Sequence, residues 1–180
     1  MMKKKPGLLL PLFLVWGGFG MISCHREPII IPDFNTATEQ YIFAKNLKDT
    51  SYLEQRKNEK KETRQEAVIM AYQRVIARFP DDLRVTPIAW VDLGDLYLWV
   101  KDYQEALQVY ETAMQKYPDQ DDVICKSLFG AARAADGMKQ YELALSYYKQ
   151  CYERFENDKR PHLALIGKQA RLYYSRIRIR

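Results

Sequence analysis

The sequence predicts an all-α solenoid of helical hairpins, about seven helices arranged as about three repeats plus a C-terminal capping helix. Three observations predict it. A single displacement, position 101 to position 139, lays Lys101-Asp102-Tyr103-Gln104-Glu105-Ala106-Leu107 over Lys139-Gln140-Tyr141-Glu142-Leu143-Ala144-Leu145. The same displacement pairs Tyr110 with Tyr148, Ala113 with Cys151 and Tyr117 with Phe155, and carried backwards it pairs Tyr110, Ala113, Tyr117 and Pro118 with Tyr72, Val75, Phe79 and Pro80. Finally, apolar residues recur at helical spacing, with interruptions, from about residue 36 to the C-terminus. Self-similarity at a fixed period of this size is the signature of stacked supersecondary units.

Composition allows such a fold. The 180 residues are 47% hydrophobic and 28% charged, and 13 Tyr against 8 Gly and 8 Pro argue against a low-complexity chain. A chain of this length buries a core without needing disulfides or metal.

The first 23 residues read as an export leader and stand apart from the fold. Lys3, Lys4 and Lys5 precede an apolar stretch from Leu8 to Ile22, interrupted by Pro11. That stretch is shorter than the roughly 20 residues a membrane-spanning helix needs. It ends in Met21-Ile22-Ser23-Cys24, which resembles the lipobox of bacterial lipoproteins, with Met21 where Leu is usual. The resemblance implies cleavage after Ser23 and lipidation of Cys24, which ties the protein to a membrane through acyl chains. An ordinary secretory signal with Cys24 incidental and an uncleaved N-terminal anchor are the other readings. Removing the leader takes the 28 basic residues to 25 against 23 acidic ones, so the net charge falls from +5 to +2. This small excess points away from nucleic acid as a partner.

The elements follow in order. Residues 24–35 read as an extended tether, because Pro28 and Pro32 disfavour helix in the residue before each. Asn35 or Thr36 then offers an N-cap, with Glu39 placed for a capping box, for a helix over about 36–48. Gln55 to Gln65 is rich in Lys, Arg, Glu and Gln, which suits a solvated helix extension or a contact with anionic headgroups. The first repeat closes with a helix at about 62–80, giving it bounds of about 36–80. The second spans about 87–120, the third about 125–157, and the cap about 161–178. Pro118 stops the second helix of the middle repeat because proline cannot continue the hydrogen-bond ladder.

The middle repeat carries a family resemblance. Trp90, Leu93, Gly94, Tyr97, Ala106, Tyr110, Ala113 and Pro118 resemble the tetratricopeptide pattern at its standard spacing. Gly94 and Ala106 would let two antiparallel helices approach, and the large residues would fill the space on either side. The resemblance spans about 36–180 and implies a right-handed superhelix. Leu163, Ile166, Gly167 and Ala170 take the first-helix positions of a fourth unit that ends as a lone cap. The residues in excess of the usual repeat length are expected in longer turns such as Asp119-Gln120-Asp121-Asp122.

The resemblance also implies a binding groove, because in this family the first helix of each repeat lines a concave face that takes peptide segments or partner helices. Val91, Asp95, Leu98 and Trp99 would line it in the middle repeat, Phe129, Arg133 and Asp136 in the third, and Ala164, Lys168 and Arg171 in the cap. Trp99 and Phe129 are the candidate aromatic anchors; packing against neighbouring repeats is the alternative for both. The basic, Asn-bearing carboxylate clamp of chaperone-type members is missing, since Val91 and Asp95 occupy its key places.

No catalytic, cofactor or metal site is expected. Only His25 and His162 are available as histidines, and no Gly-rich phosphate loop, paired-Cys motif or nucleophile arrangement occurs. Cys125 and Cys151 have two readings: a disulfide across the third hairpin, or two small buried hydrophobes. A lipobox Cys joined to such repeats resembles the BamD-type outer-membrane assembly lipoproteins, although this chain is shorter. That resemblance implies a lipid-anchored scaffold in the periplasm, at the outer membrane, with protein partners. An accessory of the cell wall or flagellar motor, or a soluble exported protein without lipid, is the alternative.

Overall fold

The structure, a computed structural model, describes residues 29–54 and 61–179. The expected leader, Cys24 with the start of the tether, and residues 55–60 of the charged stretch lie outside the described residues.

Seven helices make up the described chain, and no strand occurs among the described residues. They are α1 (Ala37–Glu54), α2 (Lys61–Arg78), α3 (Thr86–Val100), α4 (Tyr103–Lys116), α5 (Asp121–Gly137), α6 (Tyr141–Phe155) and α7 (Pro161–Arg178). The architecture is the expected all-α solenoid of helical hairpins. Each boundary has a local cause. Thr36 caps α1 in a capping box: the Glu39 N–H donates to the Thr36 hydroxyl oxygen at 3.2 Å, and that hydroxyl donates to the Glu39 carboxylate at 2.8 Å. Pro87 and Pro161 sit in the first turns of α3 and α7, where their missing N–H costs no intrahelical bond. Pro80 and Pro118 lie just beyond the ends of α2 and α4.

The repeat recurs as backbone geometry. Lys101 and Lys139, equivalent by the displacement, both adopt left-handed φ, 66° and 62°. In one turn Lys101 N–H donates to Leu98 O and Asp102 N–H to Tyr97 O; in the other Lys139 donates to Asp136 O and Gln140 to Ala135 O. These bonds close the last carbonyls of α3 and α5 and reverse the chain the same way twice.

The residues beyond the usual repeat length do not lengthen the turn as the sequence suggested. Asp121 and Asp122 form the first turn of α5, which begins at residue 121. Carboxylates suit the positive end of a helix. Asp121 also pairs with Arg154 and Arg160, each at 2.6 Å, across the α5–α6–α7 corner.

Consecutive helices pack as antiparallel hairpins, and α3 touches α5 as α5 touches α7, so the first helices of successive repeats form a row. The core is periodic. Tyr72, Tyr110 and Tyr148, one on the second helix of each repeat, are all fully buried. Tyr110 is wedged between two first helices: a Cβ on Gly94 would lie 2.6 Å from its ring, and one on Gly130 would lie 2.2 Å from it. Only glycine lets α3 and α5 close on this ring from both sides.

At the N-terminal end, residues 29–34 are extended and lie on the body of the fold. Asp33 pairs with Arg74 at 2.9 Å and Arg78 at 2.8 Å. The Ile31 carbonyl accepts from Arg74, and the buried amide of Gln40 bonds Pro32 O and Phe34 N–H. Ile31 itself joins the core.

The wedge makes a sharp expectation. Gly130→Ala drives a methyl into a ring that is buried on all sides, and overpacking of this kind costs about 1–3 kcal/mol. Urea unfolding should place its midpoint below that of the parent, whereas Lys126→Ala, on the exposed face of α5, should leave the midpoint near the parent value.

Candidate functional site

The row of first helices leaves one face of each open, and the offset is regular. On α3 the residues Ala89, Leu93 and Leu96 are buried, and Val91, Asp95 and Leu98 follow each by two positions. On α5 the buried Ser127, Ala131 and Ala134 lead in the same way to Phe129, Arg133 and Asp136. On α7 the buried line is Leu163, Gly167 and Ala170, so the equivalent residues are Leu165, Gln169 and Leu172. The sequence register for the cap, which gave Ala164, Lys168 and Arg171, is therefore one residue early. The cause is Gly167: a Cβ there would lie 2.4 Å from the Glu156 backbone nitrogen, so this glycine faces the end of α6 and fixes the helix rotation.

The proposed groove residues divide accordingly. Asp95, Leu98, Phe129 and Arg133 come together along the open face. Val91 does not reach it; it is buried in the cluster around Tyr110, Tyr117 and Ala131. Trp99 packs against the N-terminal core that contains Tyr72 and Leu96. Phe129 meets Tyr148 and Tyr173 edge-on, at centroid distances of 5.8 and 5.7 Å, and so is part of a packed aromatic group. Arg171 turns toward α6, where it pairs with Glu156 at 2.5 Å and lies over the Tyr152 ring at 4.9 Å. Lys168 is exposed on the side of α7 that no further helix covers. Arg178 is exposed as well.

The groove has an electrostatic gradient along its length. At the α1–α3 end, Asp92 accepts from the Tyr41 hydroxyl at 2.7 Å and lies 3.6 Å from Lys48, whose ammonium sits over the Tyr72 ring. The Tyr72 hydroxyl is near the same carboxylate but outside hydrogen-bonding geometry. In the middle, the Tyr110 hydroxyl donates to Asp95 Oδ1 at 2.6 Å. Asp95 keeps a solvent-facing edge while the groove walls crowd it. That desolvation holds its carboxyl above the usual range, against the Tyr110 hydrogen bond, which pulls it down. Burial and the Asp95 charge push the Tyr110 phenol far up, so it stays a donor. At the α5–α7 end the charge reverses to Arg133, which stands at the position equivalent to Asp95.

That end opens into a cleft of about 410 Å³ between the helix row and the start of α6. Leu98, Tyr103, Arg133, Asp136, Gly137, Lys139, Tyr141, Tyr148 and Tyr173 line it. Tyr173 stacks on Tyr148 at 5.6 Å and 19°. Beyond it Leu165 and Leu172 are 58% and 70% exposed, an apolar strip on the open face of the last helix. The four tyrosines, Lys139 and this strip were missed in the sequence. The periodic Tyr72, Tyr110 and Tyr148 were the available signal, but they read as core alone.

The described residues hold no group of His, Cys, Asp and Glu suited to a metal ion. No helix among them is long and apolar enough to cross a membrane. Cys125 and Cys151 are free, buried side by side in the third hairpin, with Cys151 Sγ 3.7 Å from the Cys125 carbonyl oxygen. The neighbouring Cys125 and then burial push the Cys151 thiol up, so its thiolate is scarce.

The periodic buried tyrosines and the row of first helices are the architecture the repeat pattern implied. Residues 85–157 match the tetratricopeptide repeat family. The match covers α3 to α6, the second and third hairpins. Proteins built on this repeat are generally non-catalytic scaffolds that bind other proteins. No curated protein matches the chain.

Two outcomes follow. Tyr110→Phe removes the hydrogen bond to Asp95, whose carboxylate keeps access to water, and should lower unfolding free energy by about 0.5–1.5 kcal/mol in urea titration. In the reduced protein, Cys125 and Cys151 should not react with a thiol reagent until denaturant is added. Prompt reaction of either would place it at the surface.

Proposed function

We propose that this protein is an exported, lipid-anchored scaffold whose groove along α3, α5 and α7 holds a segment of a protein partner. The observation that carries the binding reading is the change of character along one continuous face. It runs from the closed Asp95–Tyr110 pair to an open cleft with Arg133, Lys139, Tyr173 and an exposed apolar strip at Leu165 and Leu172. Exposed apolar residues beside aromatics and a cation are the composition of a protein-binding surface. The match of α3 to α6 to a repeat that binds proteins supports the same reading.

The anchoring reading rests on the leader and on Met21-Ile22-Ser23-Cys24. Acyl chains on Cys24 would hold the protein at the envelope, with the outer membrane facing the periplasm as the preferred site. A role in outer-membrane protein assembly belongs to the same proposal and rests on the joint occurrence of the lipobox and the repeats.

Two measurements test it. A photo-crosslinking residue at Leu172 should capture a defined protein in intact cells, and the same residue at Lys149, on the outer face of α6, should not. Capture from Lys149 alone would move the binding surface off the groove. Separately, labelled palmitate should enter the parent chain and not a Cys24→Ala variant; labelling that persists in the variant would remove the lipid assignment.

A further inference from the structure

Residues 29–34, the later part of the expected tether, form a strap on the body of the fold. Asp33 pairs with Arg74 and Arg78, the Ile31 side chain joins the core, and the buried Gln40 amide bonds both Pro32 O and Phe34 N–H. The strap shortens the leash from Cys24. Without these contacts the first fixed residue would be the Thr36 cap, and the chain up to it could span about 40 Å. With Ile31 held in the core, Ile30 lies within about 20 Å of Cys24 along the chain.

The strap also selects which edge of the solenoid stays near Cys24. Arg78 is the last residue of α2, so the strap lies where α2 hands over to α3. The connections 79–85, 117–120 and 156–160 share this edge: the Gln120 amide donates to the Leu83 carbonyl at 3.1 Å, and Asp121 reaches both Arg154 and Arg160. The turns at 101–102 and 138–140 lie on the opposite edge, one helix length away, about 22 Å for the 15 residues of α3. On the near edge a fixed loop presents Leu83. Asp82 Oδ1 accepts from the Arg84 and Val85 N–H groups at 3.0 and 2.8 Å, and the Thr86 hydroxyl donates to Phe79 O at 2.5 Å. Val85 is buried, yet Leu83 is 66% exposed, and Ile30 on the strap is 84% exposed. The charges of this corner balance, with Asp33, Asp81 and Asp82 against Arg74, Arg78 and Arg84.

We propose that this corner, with Ile30 and Leu83, docks on the phospholipid bilayer surface, and that the strap holds it there. The proposal rests on the lipid reading of Cys24 and adds an orientation to it. A leash this short keeps the corner at the headgroups, where exposed apolar side chains gain burial beside the acyl chains. Two side chains are too small a patch for a stable protein interface, which takes about 800 Å² from each partner. With charges balanced, docking needs no anionic headgroup. The row of first helices then runs along the membrane, and the turns at Lys101 and Lys139 point away from it.

The test uses the full chain, exported and purified with its lipid, on phosphatidylcholine vesicles whose acyl chains carry bromine. A fluorophore attached to a Leu83→Cys variant should lose its emission to the bromine. The same fluorophore on Gln140→Cys, at the opposite edge, should keep it. Both positions are exposed, so the variants should fold as the parent does, and the buried Cys125 and Cys151 take no label. A Gly-Ser segment of about twelve residues inserted after Pro28 lengthens the leash and leaves the strap intact. The vesicle-bound fraction should then stay the same while quenching at Leu83 falls. Bound protein that is unquenched at Leu83, or quenched alike at both positions, would overturn the docked corner and leave the lipid standing. Quenching that survives the insertion would overturn the role of the strap. Protein with no affinity for the vesicles would overturn the lipid reading and the docking together.

Discussion

The structure depends on one close approach, the Tyr110 ring held between Gly94 of α3 and Gly130 of α5. A side chain larger than hydrogen at either glycine would push a first helix away from the second helix that carries the tyrosine. The wedge therefore sets the spacing of the helix row, and the row sets the shape of the groove. Because helices of this length are marginal alone, their stability comes from such packing and not from intrinsic propensity. The two ends of the described helices differ. Extended residues 29–34 are pinned to α2 by Asp33 between Arg74 and Arg78, and α7 exposes Lys168 and Arg178.

The same tyrosine position links packing to the polarity of the candidate groove. Its ring belongs to the core in all three repeats, and in the middle one its hydroxyl reaches Asp95 on the first helix. The third repeat places Arg133 there, and the polarity of the groove inverts within one repeat length. The repeated architecture thus carries opposite charges at one first-helix position, two residues beyond a buried one.

Much of the fold was legible in the sequence because its causes are local and repeated. The displacement from 101 to 139 recurs as two identical left-handed turns, and the prolines mark the ends and beginnings they should. The capping box at Thr36 and Glu39 formed as spaced. The groove was legible only in part. Asp95, Leu98, Phe129 and Arg133 stand on the open face, but Val91 is buried, Trp99 packs inward and Arg171 pairs with α6. A helical wheel gives the angle of a residue about its own axis and says nothing of how closely the neighbouring helix covers that angle.

By itself, the sequence determined the all-α hairpin solenoid, its period and most of its helix ends, since these follow from spacing, small residues and proline along a single chain. Only the tertiary structure decided the rotation of α7, the burial of Val91 and the gathering of Tyr103, Tyr141, Tyr148 and Tyr173 around Arg133. Gly167 against the backbone of Glu156 fixes that rotation, and a contact between two helices cannot be read from the pattern of either one. The hydroxyl of Tyr148, buried without a hydrogen-bond partner, belongs to the same class: it is defined by an acceptor that three-dimensional packing fails to bring to it.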